Sequence, residues 1–263
     1  MLKLSNVNIT FNKGTVNERK ALKDMNLNIE AGDFVTVIGS NGAGKSTLMN
    51  AICGSYQVDS GHVYLDGKDI TRLKEHQRAK YIGRLFQDPL KGTAPNMTIE
   101  ENLGLAYGRG KKRTLSFGIS KKDIAVFKEK LATLGLGLED RLKTPVGLLS
   151  GGQRQALTLM MATIVTPKLL LLDEHTAALD PKTAEKVMEI TEKLVKENNI
   201  TTLMITHNIQ NALDYGNKTL VLNQGELLMK IEGSDRENMT TEKLMEMYSK
   251  SGAQTMSDRA LLG

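Results

Sequence analysis

Apolar and polar residues alternate along two segments near the start of the chain, residues 2–9 and 22–29. Successive side chains of a β-strand point to opposite faces, so this alternation predicts two half-buried strands. Two compact apolar runs, residues 34–38 and 169–172, are typical of strands buried on both faces, and residues 201–206 form a further predicted strand. Because strands buried on both faces occur in parallel sheets covered by helices, the pattern predicts an α/β protein.

Helical signals lie between and after these strands. Residues 98–101 match a capping box, residues 120–134 have the period of an amphipathic helix, and a third apolar-periodic segment begins near Arg154. Residues 220–228 predict a hairpin that closes an antiparallel lobe. A short helix over 240–248 and a polar tail complete the chain.

The predicted strand at 34–38 leads into a glycine-rich segment that precedes a predicted helix. Its sequence is Gly39-Ser40-Asn41-Gly42-Ala43-Gly44-Lys45-Ser46-Thr47, which matches G-x-x-x-x-G-K-[ST]. Glycines let the backbone curl so that its N–H groups point at phosphate oxygens, and the positive end of the next helix lies behind them. Lys45 adds a positive charge for the β and γ phosphates, and Ser46 supplies a hydroxyl ligand for Mg²⁺. The segment therefore predicts a nucleoside-triphosphate site.

A second motif, Leu149-Ser150-Gly151-Gly152-Gln153, precedes the helix predicted near Arg154. L-S-G-G-Q resembles the signature of the ATP-binding-cassette (ABC) ATPases, and the other motifs of that family follow the expected order over roughly residues 1–235. The matching positions are Phe11, Gln87 in Leu85-Phe86-Gln87-Asp88-Pro89, Asp173 and Glu174 after the run 169–172, Asp180 in Ala177-Ala178-Leu179-Asp180, and His207.

The resemblance implies a role for each matching residue. Glu174 resembles the catalytic base, His207 the histidine that contacts the γ-phosphate, and Gln87 the sensor that touches the metal and the attacking water. The implied Mg²⁺ ligands are Ser46, Gln87 and Asp173, and the implied ATP-binding residues are Phe11, which would stack on adenine, residues 39–47, Ser150, Gly151, Gly152, Gln153 and Asp180.

Several of these residues also have simpler interpretations when taken one at a time. Gln87 alone suits a surface amide, Phe11 a core ring, and His207 a polar residue near a strand end. Asp173 and Glu174 alone suit a solvated turn. The order of the motifs favours the functional interpretation.

The signature segment has a consequence for assembly. Ser150 and the following glycines begin a helix, so they offer a hydroxyl and N–H groups to an anion, although the chain's own phosphates are already cradled by the Lys45 loop. In ABC ATPases each signature caps the ATP of a second subunit. The resemblance thus implies a homodimer, or a pseudo-symmetric dimer, that acts on an integral-membrane permease from the inner, cytoplasmic face of the membrane, with no nucleic acid as partner.

The fold expected from this resemblance is an α/β P-loop NTPase of the ABC ATPase type, with an antiparallel β lobe and a helical subdomain. Residues 1–235 form the predicted ATPase domain, with its core at 1–88 and 147–235 and the helical subdomain at about 89–146. Residues 236–263 form a C-terminal helix and tail, too short for the usual regulatory domain.

His175 follows Glu174 where most ABC ATPases carry proline. This variant resembles ATPases of bacterial importers whose partners are lipoproteins of the tryptophan/tyrosine-binding type, and it implies import of amino acids or similar small solutes, with an extracellular substrate-binding lipoprotein. A metal-ligand role for His175 is disfavoured, since no second histidine lies nearby in the sequence.

Other classes of nucleotide-hydrolysing protein share parts of this pattern. A soluble scaffold ATPase for cluster assembly would have nearly the same sequence. A chromosome-maintenance ATPase would carry a long coiled coil between the two motifs, a ribosome-acting member would carry two cassettes, and a small GTPase would carry Asn-Lys-x-Asp, which the chain lacks.

Composition adds limits of its own. With 263 residues and 40% hydrophobic content the chain can bury a substantial core, and its net charge of +5 is spread among 30 acidic residues. The single cysteine, Cys53, predicts a core thiol in a reducing compartment. We expect neither a signal peptide nor a membrane span, because no run reaches about 18 apolar residues. The basic run 109–113 suits lipid phosphates less well than a solvated loop, and no role is assigned to it.

Overall fold

A computed structural model describes residues 1–110 and 118–250 of the chain. The strands are β1 (Leu2–Phe11), β2 (Arg19–Ile29), β3 (Phe34–Gly39), β4 (Ser60–Leu65), β5 (Lys68–Asp69), β6 (Ile82–Leu85), β7 (Leu169–Asp173), β8 (Thr201–Ile205), β9 (Lys218–Asn223) and β10 (Glu226–Glu232). The helices are α1 (Lys45–Cys53), α2 (Glu75–Arg78), α3 (Ile99–Tyr107), α4 (Lys121–Ala132), α5 (Gly151–Thr163), α6 (Pro181–Glu197), α7 (Ile209–Asp214), α8 (Ser234–Glu237) and α9 (Thr241–Lys250). Short 3₁₀ turns cover Pro89–Gly92 and Val146–Leu148.

The elements predicted from the hydrophobic pattern are confirmed. β1, β2, β3 and β7 contain the predicted strands, and β8 matches the predicted strand except for residue 206. Helix α9 begins one residue after the predicted start of the C-terminal helix at residue 240. Thr98 and Ser120 each begin a helix with a complete capping box. Cys53 is buried in α1. Residues 111–113 of the basic run and the tail after residue 250 lie outside the described residues.

The described residues form two compact units. Unit 1 comprises residues 1–78 and 201–250, and unit 2 comprises residues 79–110 and 118–200. The predicted division into a core and a helical subdomain near residues 89 and 146 stays a prediction.

Unit 1 contains an antiparallel sheet in the order β2-β1-β4-β5 and a second set of strands in the order β10-β9-β3-β8. In the second set, β3 runs parallel to both β8 and β9. The prediction that residues 220–228 close the antiparallel lobe is therefore wrong. The hairpin β9–β10 instead extends the sheet through β3, because Leu220, Val221 and Leu222 are fully apolar and buried and pair with the equally buried β3.

Helices α7 and α9 pack on the strands β10-β9-β3-β8 of unit 1. Ile209 of α7 and Leu244 and Tyr248 of α9 are buried in one cluster with Ile38 and Val221 of the sheet. Burial of this apolar surface stabilises the strands that carry the glycine-rich loop.

Unit 2 combines the parallel pair β6 and β7 with a group of helices. Helix α5 is the centre of this group, since it contacts α3, α4, α6 and β6. Its residues Ala156, Leu157 and Leu159 are completely buried. The helix that follows the signature motif is thus held from several sides.

Candidate functional site

The glycine-rich loop connects β3 to α1 and requires glycine for two physical reasons. Gly39 and Gly44 have positive φ angles of 154° and 103°, a region that other residues rarely adopt. A Cβ atom on Gly39 would lie 2.3 Å from the carbonyl oxygen of Leu222, and one on Gly44 would lie 2.7 Å from that of Ala21. The backbone therefore packs too closely on β9 and β2 for any side chain, and the loop takes the curled form that a phosphate-binding loop needs.

Lys45 places a buried positive charge inside this loop. Its side chain is folded back, and Nζ donates to the carbonyl oxygens of Gly39 at 2.7 Å and Ser40 at 3.1 Å. Gly44 precedes α1 and has no side chain with which to cap it. Phosphate oxygens suit both features, because they accept hydrogen bonds from the first turn of a helix and neutralise the ammonium.

The loop is supported from outside by two contacts. The N–H of Gly225, in the turn between β9 and β10, donates to the carbonyl oxygen of Ala43 at 2.9 Å. The side chain of Arg19 donates to the carbonyl oxygen of Gly42 at 2.7 Å. Arg19 is not identified by the sequence pattern, because the residue is far from the motif and matches none of its positions.

His207 and the glycine-rich loop follow strands β8 and β3, which end at the same edge of the β10-β9-β3-β8 strands in unit 1. Val37 of β3 pairs with Ile205 of β8 in parallel, so Gly39 and His207 each lie two residues beyond a register pair. His207 is exposed in the turn between β8 and α7, next to Asn208, whose side chain caps α7. Unit 1 thus brings the predicted phosphate-contacting histidine to the edge that carries the phosphate loop.

Phe11, the predicted adenine-stacking residue, is partly exposed at the end of β1. Its ring contacts the ring of Tyr56 edge-on, with centroids 5.3 Å apart and an angle of 80° between the planes. Its partial exposure is compatible with stacking on a base.

Asp173, Glu174 and Gln87 lie at the same edge of the parallel pair β6 and β7 in unit 2, as the strand register shows. Leu85 of β6 pairs with Leu172 of β7, so Gln87 and Glu174 each lie two residues beyond this pair. Glu174 has a φ angle of +48°, which is uncommon for a residue with a side chain. Such strain persists where the surrounding structure fixes it, often at functional sites.

Arg84 is a second residue beside the predicted site residues that belongs to no motif. Its Nη2 lies 3.7 Å from Oδ2 of Asp173, and its guanidinium lies over the ring of Phe86, 4.5 Å from the centroid. The signal was present as an arginine inside the largely buried strand Ile82–Leu85, since a charge in such a strand needs a partner.

His175 is buried against α6. Its Nε2 lies 3.3 Å from Oγ1 of Thr191. Burial lowers the pKa of His175 to about 4, so the imidazole is neutral at neutral pH. The side chain anchors the segment after Glu174 to α6.

The signature motif forms the N-terminus of α5. The hydroxyl oxygen of Ser150 accepts from the N–H of Gln153 at 3.3 Å, and the Gln153 side chain accepts from the N–H of Ser150 at 3.3 Å. This capping box starts the helix at Gly151, three residues before the predicted start near Arg154. The Ser150 hydroxyl keeps its own proton to donate to an anion.

Gly152 and Asp180 both contribute to the junction of α5 and α6. A Cβ atom on Gly152 would lie 2.2 Å from Cγ2 of Thr183, so only glycine lets the two helices approach this closely. Asp180 caps α6 by accepting from the N–H of Thr183 at 3.1 Å. Hydrogen bonds from the Thr183 side chain and backbone lower the pKa of Asp180 below its usual value. Both residues therefore stabilise the junction of α5 and α6, in addition to their predicted roles toward ATP.

We expect Gly152→Ala to lower the free energy of unfolding by about 1–3 kcal/mol, because the added methyl overpacks the junction. Alanine otherwise stabilises a helix relative to glycine by about 1 kcal/mol, so a loss reports the clash. Thr183→Ser removes Cγ2 and leaves Cβ as the nearest atom, at 3.7 Å. Urea unfolding of the double variant should return to the wild-type value or above it. A double variant as unstable as Gly152→Ala would contradict this explanation.

Comparisons with known proteins agree with this geometry. A family model described as ABC transporter matches residues 22–177. The tyrosine transport ATP-binding protein of Clostridioides difficile (strain R20291) is 44% identical over 248 residues, which covers 94% of this chain and 98% of that protein. The phosphonates import ATP-binding protein PhnC of Lactococcus lactis subsp. cremoris (strain SK11) is 34% identical, over 96% of this chain and 100% of that protein.

A solved structure leads to the same family. The dimeric ATP-binding cassette MJ0796, in a post-hydrolysis state bound to ADP and Pi, is 32% identical with a TM-score of 0.75, over 88% of this chain and 98% of that chain. These findings confirm the predicted P-loop fold and the resemblance on which it rested. The chain belongs to the ABC transporter family, as one of its ATP-binding and ATP-hydrolysing subunits.

Proposed function

We propose that this chain powers solute import through a separate membrane permease, with ATP held between the phosphate loop of one copy and the Ser150 segment of a second copy. The observation that carries this proposal is that one chain has two helix starts suited to an anion, at α1 and at α5. One triphosphate bound at the loop leaves the start of α5 available for the nucleotide of another copy. The dimeric cassette bound to ADP and Pi supports this arrangement.

Mg²⁺ fits the donor atoms that this chain offers. Ser46 carries a hydroxyl, Gln87 an amide oxygen and Asp173 a carboxylate, and Mg²⁺ prefers oxygen ligands. When bound, Mg²⁺ would neutralise charge on the β and γ phosphates. Arg84 lies beside Asp173 and keeps the carboxylate near the end of β6.

Hydrolysis follows from charge placement more than from covalent chemistry. Lys45 neutralises the phosphates, and the Glu174 carboxylate accepts the proton of the attacking water. His207, exposed on its turn, orients that water and contacts the γ-phosphate. Loss of the γ-phosphate removes negative charge that both copies neutralise, so hydrolysis weakens the dimer and resets the permease.

The transport role rests on the relatives. One is a tyrosine transport ATP-binding protein and another a phosphonates import ATP-binding protein, which favours a transport subunit over a soluble scaffold ATPase. The greater identity with the tyrosine protein supports amino acids as cargo, delivered by a substrate-binding lipoprotein. Within residues 1–110 and 118–250, none of the helices is both long and apolar enough to span a bilayer. The transport role places the chain on the inner face of the membrane, bound to its permease.

Reconstitution with a candidate permease from the same genome tests this function. We expect ATP hydrolysis in proteoliposomes to rise when the cognate binding protein and an aromatic amino acid are added, and not with phosphonate. The hydrolysis-deficient Glu174→Gln variant is the control for background phosphate release. A hydrolysis rate that is the same with and without the permease, together with recovery of a soluble partner, would favour the scaffold alternative.

A further inference from the structure

The tip of the β1–β2 hairpin is attached to the phosphate loop by one side chain. Arg19 of β2 is the direct cross-strand partner of Phe11 in β1. Its Nη2 donates to the carbonyl oxygen of Gly42 at 2.7 Å. A Cβ atom on Gly42 would lie 2.5 Å from that same nitrogen, so glycine at this position leaves room for the guanidinium.

A second route connects Phe11 to the loop through the segment after α1. Tyr56 of this segment contacts the Phe11 ring edge-on, and Asp59 accepts from the N–H of Thr10 at 2.7 Å. Helix α1 itself begins at the phosphate loop. The aromatic ring is therefore fixed relative to the loop at two points, Arg19 on one side and the Tyr56–Asp59 segment on the other.

We propose that Arg19 is a positioning residue for the nucleotide, which fixes Phe11 at a constant distance from the phosphate loop. The inference rests on the proposed function, in which the loop holds the phosphates of ATP and Phe11 stacks on its base. A prearranged platform binds the base without a new ordering cost, whereas a loose hairpin tip must be ordered on binding. Arg19 then contributes to the affinity for the nucleoside part of ATP.

A direct attraction between the Arg19 charge and the phosphates makes a different prediction. Such an attraction would act on any triphosphate, whether or not it carries a base. A tether that acts through Phe11 affects only ligands that have a base to stack. Inorganic tripolyphosphate, which has the phosphates alone, separates the two mechanisms.

The test is a calorimetric titration of wild-type protein and Arg19→Gln with ATP and with tripolyphosphate, both with Mg²⁺. We expect the affinity of Arg19→Gln for ATP to fall about tenfold and its affinity for tripolyphosphate to stay within twofold of wild type. KM for ATP should rise by a similar factor while kcat at saturating ATP is kept. Arg19 is exposed, so the thermal unfolding midpoint without nucleotide should also be kept.

Two further variants separate an effect through Phe11 from a general effect of the lost charge. Lys20→Gln removes the same charge from the next position of β2, which points to the opposite face, and it should leave both affinities unchanged. In a Phe11→Ala background, Arg19→Gln should cause no further loss of ATP affinity, because the tether acts through that ring.

Three results would overturn the inference. Equal losses for ATP and tripolyphosphate would indicate direct attraction to phosphate, and unchanged ATP affinity would show that the tether has no effect. Additive losses in the Phe11→Ala background would show that Arg19 does not act through the ring. If wild-type protein binds neither ligand, the proposed function fails, and this inference fails with it.

Discussion

Glu174→Gln will bind ATP with nearly wild-type affinity, hydrolyse it roughly 10²–10⁴-fold more slowly, and accumulate as an ATP-dependent dimer. The substitution keeps the size of the side chain and removes the carboxylate that, in the proposed mechanism, accepts a proton from water. Glu174 lies one residue beyond the carboxyl end of β7 and has a φ angle of +48°. Gln87 lies two residues beyond the neighbouring strand β6, at the equivalent register. Phosphate release measures the turnover, and light scattering with and without ATP measures the dimer.

Glu192→Gln is a matched control for this variant. Glu192 lies on the exposed face of α6, so the same change of charge there should leave turnover unaffected. A Glu174→Gln protein that stays monomeric at saturating ATP with its permease present would contradict the ATP-sandwiched dimer. Turnover near the wild-type rate would show that another group accepts the proton.

Lys45→Ala will lower the affinity for ATP by about 30-fold to 3,000-fold. Removing one partner of a buried, hydrogen-bonded charge pair costs about 2–5 kcal/mol, and each 1.4 kcal/mol is tenfold in affinity. Lys45 is only 6% exposed, and its ammonium lies within the loop against the carbonyl oxygens of Gly39 and Ser40. Calorimetric titration with ATP measures the loss. The affinity for tripolyphosphate should fall equally, unlike that of Arg19→Gln, because the proposed contact of Lys45 is with the phosphates.

Two controls separate lost binding from lost structure. Lys23→Ala removes a positive charge from β2, where the ammonium pairs with Glu226, and it should keep ATP affinity. The thermal unfolding midpoint of Lys45→Ala without nucleotide should lie within a few degrees of wild type. Tight ATP binding by Lys45→Ala would argue against the assignment of residues 39–47 as the phosphate loop.

Some residues of the candidate site are identified by sequence motifs, and others belong to no motif. Lys45, Glu174 and Ser150 were found because each belongs to a short motif whose residue types follow from its chemistry. Arg19 and Arg84 belong to no motif, and their partners Gly42 and Asp173 are distant in sequence. Arg84 can be noticed as a charge in an apolar strand, but the partners of both arginines become visible only when the fold brings the two segments together.

The sequence by itself determined the local features: the strands with their period of two, the capping boxes at Thr98 and Ser120, and the curl of the glycine-rich loop. These depend on interactions among residues a few positions apart, which hydrophobic pattern and residue type encode directly. Only the tertiary structure decided that β9 pairs with β3, so that the hairpin β9–β10 extends that sheet. It also decided that Gly152 packs on Thr183, since contacts between distant segments depend on the order and register of whole elements.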